Sequence, residues 1–154
     1  MPDLSPQFDD YRGIHQPYTG EDDPAIHNLE GLFGEDVYRT PQHYGHGESY
    51  DTQSIGSLLR AKGRPQASID IYRSVPQGVR SINTGDWITT SREYAKQHGR
   101  HPTDPSQDQQ VLWAKVKAEH VRTGGNDIIE WGYSGPTIEK AMVRWKPRRR
   151  KGVA

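Results

Sequence analysis

Two periodicities alternate along the middle of the chain. From Ile69 to Val75 the apolar residues Ile69, Ile71 and Val75 alternate with Asp70, Tyr72 and Ser74, the period of a strand. The same alternation places Arg73 on the apolar face. An unpaired guanidinium away from water is costly, so an anion is expected beside it; a carboxylate or a phosphate suits its fork of donors, and a ligand is one candidate. Pro76, Gly78, Asn83 and Gly85 then break the chain before a second extended run, Trp87-Ile88-Thr89-Thr90-Ser91, rich in β-branched residues. A helix is predicted directly after it. Thr90 stands three residues before Glu93, the spacing of a capping box, Tyr94, Ala95 and His98 share one face, and Gly99 is the stop.

The flanking segments read in the same way. Ile55, Leu58 and Leu59 stand at i, i+3 and i+4 of a predicted helix from Asp51 to Gly63, with Asp51, Thr52 and Ser54 as possible caps and Gly63 and Pro65 as the stop. Residues 101–108 form a polar loop, long enough to cover or flank a cleft. Leu112, Ala114, Val116 and Ala118 alternate with Trp113, Lys115 and Lys117, as in a sheet with one covered face. A turn at Gly124-Gly125-Asn126-Asp127 leads into Ile128–Tyr133, where Ile129, Trp131 and Tyr133 share a face and Glu130 lies on the other with Ile128 and Gly132. Glu139, Ala141, Val143 and Trp145 predict a last strand, in preference to the helix that Ile138, Glu139 and Met142 also permit.

Residues 1–50 lack either period. Asp9, Asp10, Glu21, Asp22 and Asp23 sit among Pro2, Pro6, Pro17, Gly13 and Gly20, which predicts an extended arm. Packing segments are expected at His27–Phe33 and at Val37-Tyr38, separated by Gly34. The organisation expected is an N-terminal extension, 1–50, packing partly on the core; a core, 51–146; and a basic tail, 147–154.

Composition narrows the classes. Only 31% of the 154 residues are hydrophobic, and the mean hydropathy is −0.98, so the core is small and much of the chain is loop, consistent with 16 Gly and 11 Pro. Twenty basic residues balance 20 acidic ones, so no global field draws the protein to nucleic acid. The absence of cysteine excludes disulfides, thiolate nucleophiles and cysteine-ligated zinc. No apolar run approaches about 18 residues, and Met1-Pro2-Asp3-Leu4 lacks the layout of a signal peptide, so no membrane association and a cytoplasmic location are expected. His43-Tyr44-Gly45-His46-Gly47-Glu48 brings two imidazoles and a carboxylate together, but the glycines argue against the helical spacing of a metal site, and no metal is expected. Lys146, Arg148, Arg149, Arg150 and Lys151 put five cations into six residues, fit for nucleic-acid phosphates or for solubility alone.

An arginine on one strand, a Thr-Thr-Ser leading into a helix and a glutamate within a later aromatic strand occur here in that order. In this order they resemble the ADP-ribosyltransferase fold, with Arg73, Thr89-Thr90-Ser91 and Glu130 at the three positions. IYRSVP, GDWITTSREYAKQHG and NDIIEWGY are similar to the ADP-ribosyltransferase-like domains of phage and plasmid polyvalent proteins, over roughly residues 69–133. The resemblance implies an α+β domain with a split β-sheet core and flanking helices, and NAD as substrate. It implies Glu130 as the catalytic carboxylate, which would stabilise an oxocarbenium-like state, hold the ribose hydroxyl and help deprotonate the acceptor. Arg73 would bind a phosphate or ribose of the dinucleotide, Ser91 or Thr89 would orient the ribose or Glu130, and Trp87 or Tyr94 would wall the nicotinamide.

Alternatives stand beside these roles: a structural Arg73–Glu130 ion pair, and Thr89, Thr90 and Ser91 as β-formers and a helix cap. Ile128 departs from the arginine-modifying members, which carry Glu or Gln there, so the acceptor is another group or is handled by Asp127, Asn126 or the 100–110 loop. The activity expected is mono-ADP-ribosylation of a host macromolecule, such as a defence, transcription or replication component or a CRISPR-type effector. NAD hydrolysis and a non-catalytic phage binding protein are the rivals.

Overall fold

The alternating runs become strands and the helical runs become helices, in an α+β arrangement. The computed structural model describes residues 23–148. Its strands are β1 (Ser68–Val75), β2 (Trp87–Thr89), β3 (Gln110–Lys117), β4 (Val121–Thr123), β5 (Glu130–Tyr133) and β6 (Met142–Trp145); its helices are α1 (Glu30–Phe33), α2 (Asp51–Ala61) and α3 (Arg92–His98). The six strands form one sheet in the order β4-β5-β2-β1-β3-β6, with antiparallel neighbours throughout.

The two halves of this sheet are unequally joined. β1 and β3 pair along their whole length, from Ser68↔Lys117 to Val75↔Gln110, and β2 pairs with β5 at Trp87↔Gly132, Ile88↔Trp131 and Thr89↔Glu130. Between β1 and β2 there is one residue pair, Tyr72↔Thr89. The trio β6-β3-β1 and the trio β2-β5-β4 therefore meet at a single point.

Ile69, Ile71, Val75, Ile88, Leu112 and Trp131 are buried in one cluster, with Ala114, Val116 and Val143 packed against it. One face of β1 is as expected, with Ile69, Ile71 and Val75 completely buried and Arg73 2% exposed between them, but Tyr72 and Ser74 on the other face are buried too, Tyr72 in a cluster with Ala95 of α3 and Val111 of β3. The face of α2 differs from expectation. Leu58 is buried, but Leu59 is half exposed, and the inward positions include Asp51, Ser54, Ser57 and Ala61. Small residues on that face let the helix lie close to β1, which apolar periodicity alone does not register. β4 is an element that the three residues Val121–Thr123 are too short to announce.

Residues from Asp23 onward pack against the same core. Ile26 N–H donates to Val121 O at 2.7 Å and Thr123 N–H to Pro24 O at 2.9 Å, so this segment continues the sheet beyond β4. Ile26, Leu29, Val37 and Tyr38 are buried in the main cluster. Of the N-terminal extension expected over residues 1–50, with its extended arm at the start, residues 1–22 lie outside the described residues. No helix among the described residues is long and apolar enough to cross a membrane.

Tyr38 ties the segment together, donating to Ile26 O at 2.7 Å and accepting from Leu29 N–H at 3.0 Å. Burial, opposed by the Leu29 bond and helped by the charge of Glu30, pushes its phenol up to about 12. Tyr38→Phe removes both bonds and leaves a buried N–H without its partner, so a loss of about 1–3 kcal/mol is expected, read as the urea midpoint. Because the folded chain holds the phenolic proton more tightly than the unfolded one, the contribution is complete below about pH 10 and declines as pH rises towards 12. The gap between wild type and Tyr38→Phe should narrow over that range; a constant gap would show that the phenol does not titrate with folding.

Candidate functional site

The end of β2 is a run of hydroxyls, and each of them is engaged. Thr89, fully buried, donates to Ile129 O at 2.6 Å and accepts from Ser91 N–H at 3.2 Å. Thr90, fully buried, donates to the Ser54 hydroxyl of α2 at 2.8 Å. Ser91 adopts an extended conformation and accepts from Tyr94 N–H at 3.2 Å, making it the N-cap of α3. The cap thus lies one residue beyond the Thr90 expected from the capping-box spacing, because the Thr90 hydroxyl is turned to α2. Gln53 of α2 completes the frame, accepting from Arg92 N–H at 2.7 Å and donating to the Tyr72 hydroxyl at 2.9 Å.

This frame sets Tyr94 over Glu130. Glu130 is the first residue of β5, partly exposed and opposite Thr89, and its Oε1 accepts from the Tyr94 hydroxyl. Burial raises the Tyr94 phenol well above the usual value, and the bond to Glu130 and the charges of Glu130 and Asp127 raise it further. Tyr94 therefore remains a protonated donor throughout the neutral range. Aromatic rings surround the pair: Tyr50 lies 4.9 Å and His46 5.5 Å from the Tyr94 ring, centroid to centroid, and Trp87 lies 6.1 Å away, itself stacked on His98 at 4.7 Å. Trp87 is 3% exposed, so it backs the wall from behind.

Arg73 lies beside the single β1–β2 pair. Its Nη1 donates to Trp87 O at 2.7 Å, and its Nε stands 3.5 Å from Asp86 Oδ2. Asp86 is fully buried and also accepts from Asn83 N–H at 2.7 Å. An anion for the buried guanidinium thus comes from the chain itself, one residue before β2. Asp86 went unnoticed in the sequence because Asn83-Thr84-Gly85-Asp86 reads only as a turn.

A second carboxylate adjoins Glu130. Asp127 Oδ1 accepts from the N–H groups of Ile129 and Glu130, both at 2.8 Å, and its Oδ2 is 2.7 Å from His46 Nε2. Ile128 is fully buried, so the side chain two before Glu130 belongs to the core. His46 comes from the glycine-rich loop, and His43 is exposed in a separate turn. Among the described residues, no group of three or more His, Asp or Glu side chains is placed to hold a metal ion.

The structure therefore brings together Thr89, Tyr94 and Glu130, places Trp87 and Ser91 behind them, sends Thr90 to α2 and pairs Arg73 with Asp86. Arg148 is exposed beyond β6, whereas Arg149, Arg150 and Lys151 lie outside the described residues. A cavity of about 370 Å³ bounded by Asp23, His27, Glu119 and Arg122 includes none of these site residues. No family model, curated protein or solved structure matches the chain.

The Arg73–Asp86 pair has a measurable signature. Arg73→Ala leaves a buried carboxylate without its cation and is expected to cost about 3–5 kcal/mol, whereas the apolar double variant Arg73→Met/Asp86→Leu should recover much of that loss. Urea unfolding of Arg73→Met, Asp86→Leu and the double variant closes the cycle. An Arg73→Ala protein as stable as wild type would remove the pair from any structural role.

Proposed function

We propose that the chain is an NAD-dependent mono-ADP-ribosyltransferase, with an ADP-ribosyltransferase-type fold divided at the β1–β2 junction and Glu130 as its catalytic residue. The observation that carries this reading is the Tyr94–Glu130 contact: a partly exposed carboxylate, oriented by a phenol that stays protonated, on a strand fixed by Thr89 and Asp127 and walled by aromatic rings. Breaking the nicotinamide–ribose bond generates positive charge on the ribose, and a fixed carboxylate beside it stabilises that charge without reorganising. A flat ring such as Tyr94 suits the nicotinamide plane.

The remaining residues supply geometry. Thr89 orients Glu130 through the Ile129 carbonyl, and Ser91 orients Tyr94 through the first turn of α3. Thr90 anchors the strand to α2. Arg73, paired with Asp86 and bonded to Trp87 O, bridges β1 and β2 at the junction, and a phosphate or ribose of the dinucleotide would reach its guanidinium by displacing one of these partners. The acceptor proposed is a host macromolecule in the cytoplasm of a cell carrying a phage or plasmid, the setting that the motif resemblance suggests. With water in the acceptor's place, the same residues hydrolyse NAD.

Glu130→Gln tests the reading, since it is nearly isosteric but cannot stabilise the developing charge. It should retain NAD binding and melting temperature while single-turnover nicotinamide release falls on the order of 10²–10³-fold. Tyr94→Phe should lower release by a smaller factor, because the carboxylate stays but is less well held. Wild-type release from a folded Glu130→Gln protein would sink the assignment. With labelled NAD and host lysate, a labelled band marks transfer and free ADP-ribose marks hydrolysis; if wild type gives neither and binds no NAD, a non-catalytic binding protein becomes the reading.

A further inference from the structure

Several residues cooperate to hold one partly exposed imidazole. Asp51, 6% exposed in the first turn of α2, accepts from the backbone N–H of His46 at 2.9 Å and of Gly47 at 2.8 Å. Gly47 has φ 77°, which a side chain would disfavour, and Gly45 packs so closely on the Asp51 carboxylate that a Cβ there would collide with it. The loop so shaped sets His46 Nε2 2.7 Å from Asp127 Oδ2 and Nδ1 2.5 Å from the Tyr50 hydroxyl. An ionised carboxylate only accepts, so Nε2 carries the hydrogen of the neutral ring and Nδ1 is left to accept from Tyr50. An exposed loop histidine with no task does not require a buried aspartate, two constrained glycines and a second carboxylate.

We propose that Asp127, His46 and Tyr50 form a proton relay serving the acceptor, and that the acceptor is a neutral hydroxyl-bearing group. This rests on the transferase reading and deepens it. As the acceptor oxygen bonds to C1′ of the ribose, the C1′–N bond to nicotinamide breaks and its electron pair stays on the ring nitrogen, which leaves neutral. The acceptor's proton passes to Tyr50 Oη while the proton of Tyr50 passes to His46 Nδ1, and the imidazolium formed rests against Asp127. A carboxylate acceptor would need no such relay; a hydroxyl does, because its proton must leave as the new bond forms.

The surroundings fit the task. The charged and titratable groups about His46 are Asp127, Tyr50 and Tyr94, with Glu48 and Asp51 on its own loop and the helix beyond, and Glu130 behind Tyr94. Burial and then the charges of Asp51, Glu48, Asp127 and Glu130 raise the Tyr50 phenol, so it stays protonated and donates to His46.

Transfer of ADP-ribose to methanol as probe alcohol, followed under single-turnover conditions from about pH 5 to about pH 9, reads the relay directly. Wild type should show an acid limb that belongs to the relay. His46→Gln preserves an amide able to bond both neighbours but takes no proton, so transfer should fall on the order of 10²-fold and the acid limb should vanish, with NAD affinity and melting temperature unchanged. Asp127→Asn keeps its Oδ1 bonds but presents an N–H to Nε2, which forces the proton to Nδ1 and should produce a comparable loss. Free imidazole should restore part of the rate to His46→Ala. A folded His46→Gln protein with the wild-type rate and pH profile would overturn the relay and leave Glu130's role standing. A wild type that cleaves no NAD would overturn both.

Discussion

Everything in the candidate site depends on how β1 and β2 part. They share one residue pair, Tyr72↔Thr89, and the backbone groups beyond it need other partners because buried peptide groups are costly to leave unmade. Arg73 meets that need on one side, donating to Trp87 O, with Asp86 supplying the negative charge that makes a guanidinium tolerable there. The hydroxyls at the end of β2 meet it on the other. A ladder fully paired at this point would flatten the junction and remove the place where Glu130 and Tyr94 come together.

Polar side chains at this junction are therefore structural in their contacts even where they serve chemistry. Thr89, Thr90 and Ser91 are all completely buried, and their hydroxyls bind β2 to the residue before β5, tie the β2–α3 link to α2, and cap α3. Gln53 does the same for α2, β1 and α3. A small, polar chain with 31% hydrophobic residues holds its geometry partly through such bridges, which carry direction that apolar packing lacks. The same logic extends to the 45–51 loop, where Asp51 fixes backbone N–H groups so that His46 points at Asp127.

What the sequence determined by itself was local. The alternation around Ile69–Val75 put Arg73 on the buried face, and the structure has it there; helices at 51–61 and 92–98 and a strand at 110–117 form where their periodicities place them. Periodicity works because the backbone of one element decides which side chains share a face. It fails where the facing surface decides: Leu59 is exposed because α2 turns its serines inward, and Ser91 rather than Thr90 caps α3 because α2 claims the Thr90 hydroxyl. Only the tertiary structure selected Asp86 for Arg73 and joined His46 to Asp127 across 81 positions of chain. Those pairings are set by which strands neighbour one another and how far they diverge, and that is a property of the packed sheet, which no run of neighbouring residues encodes.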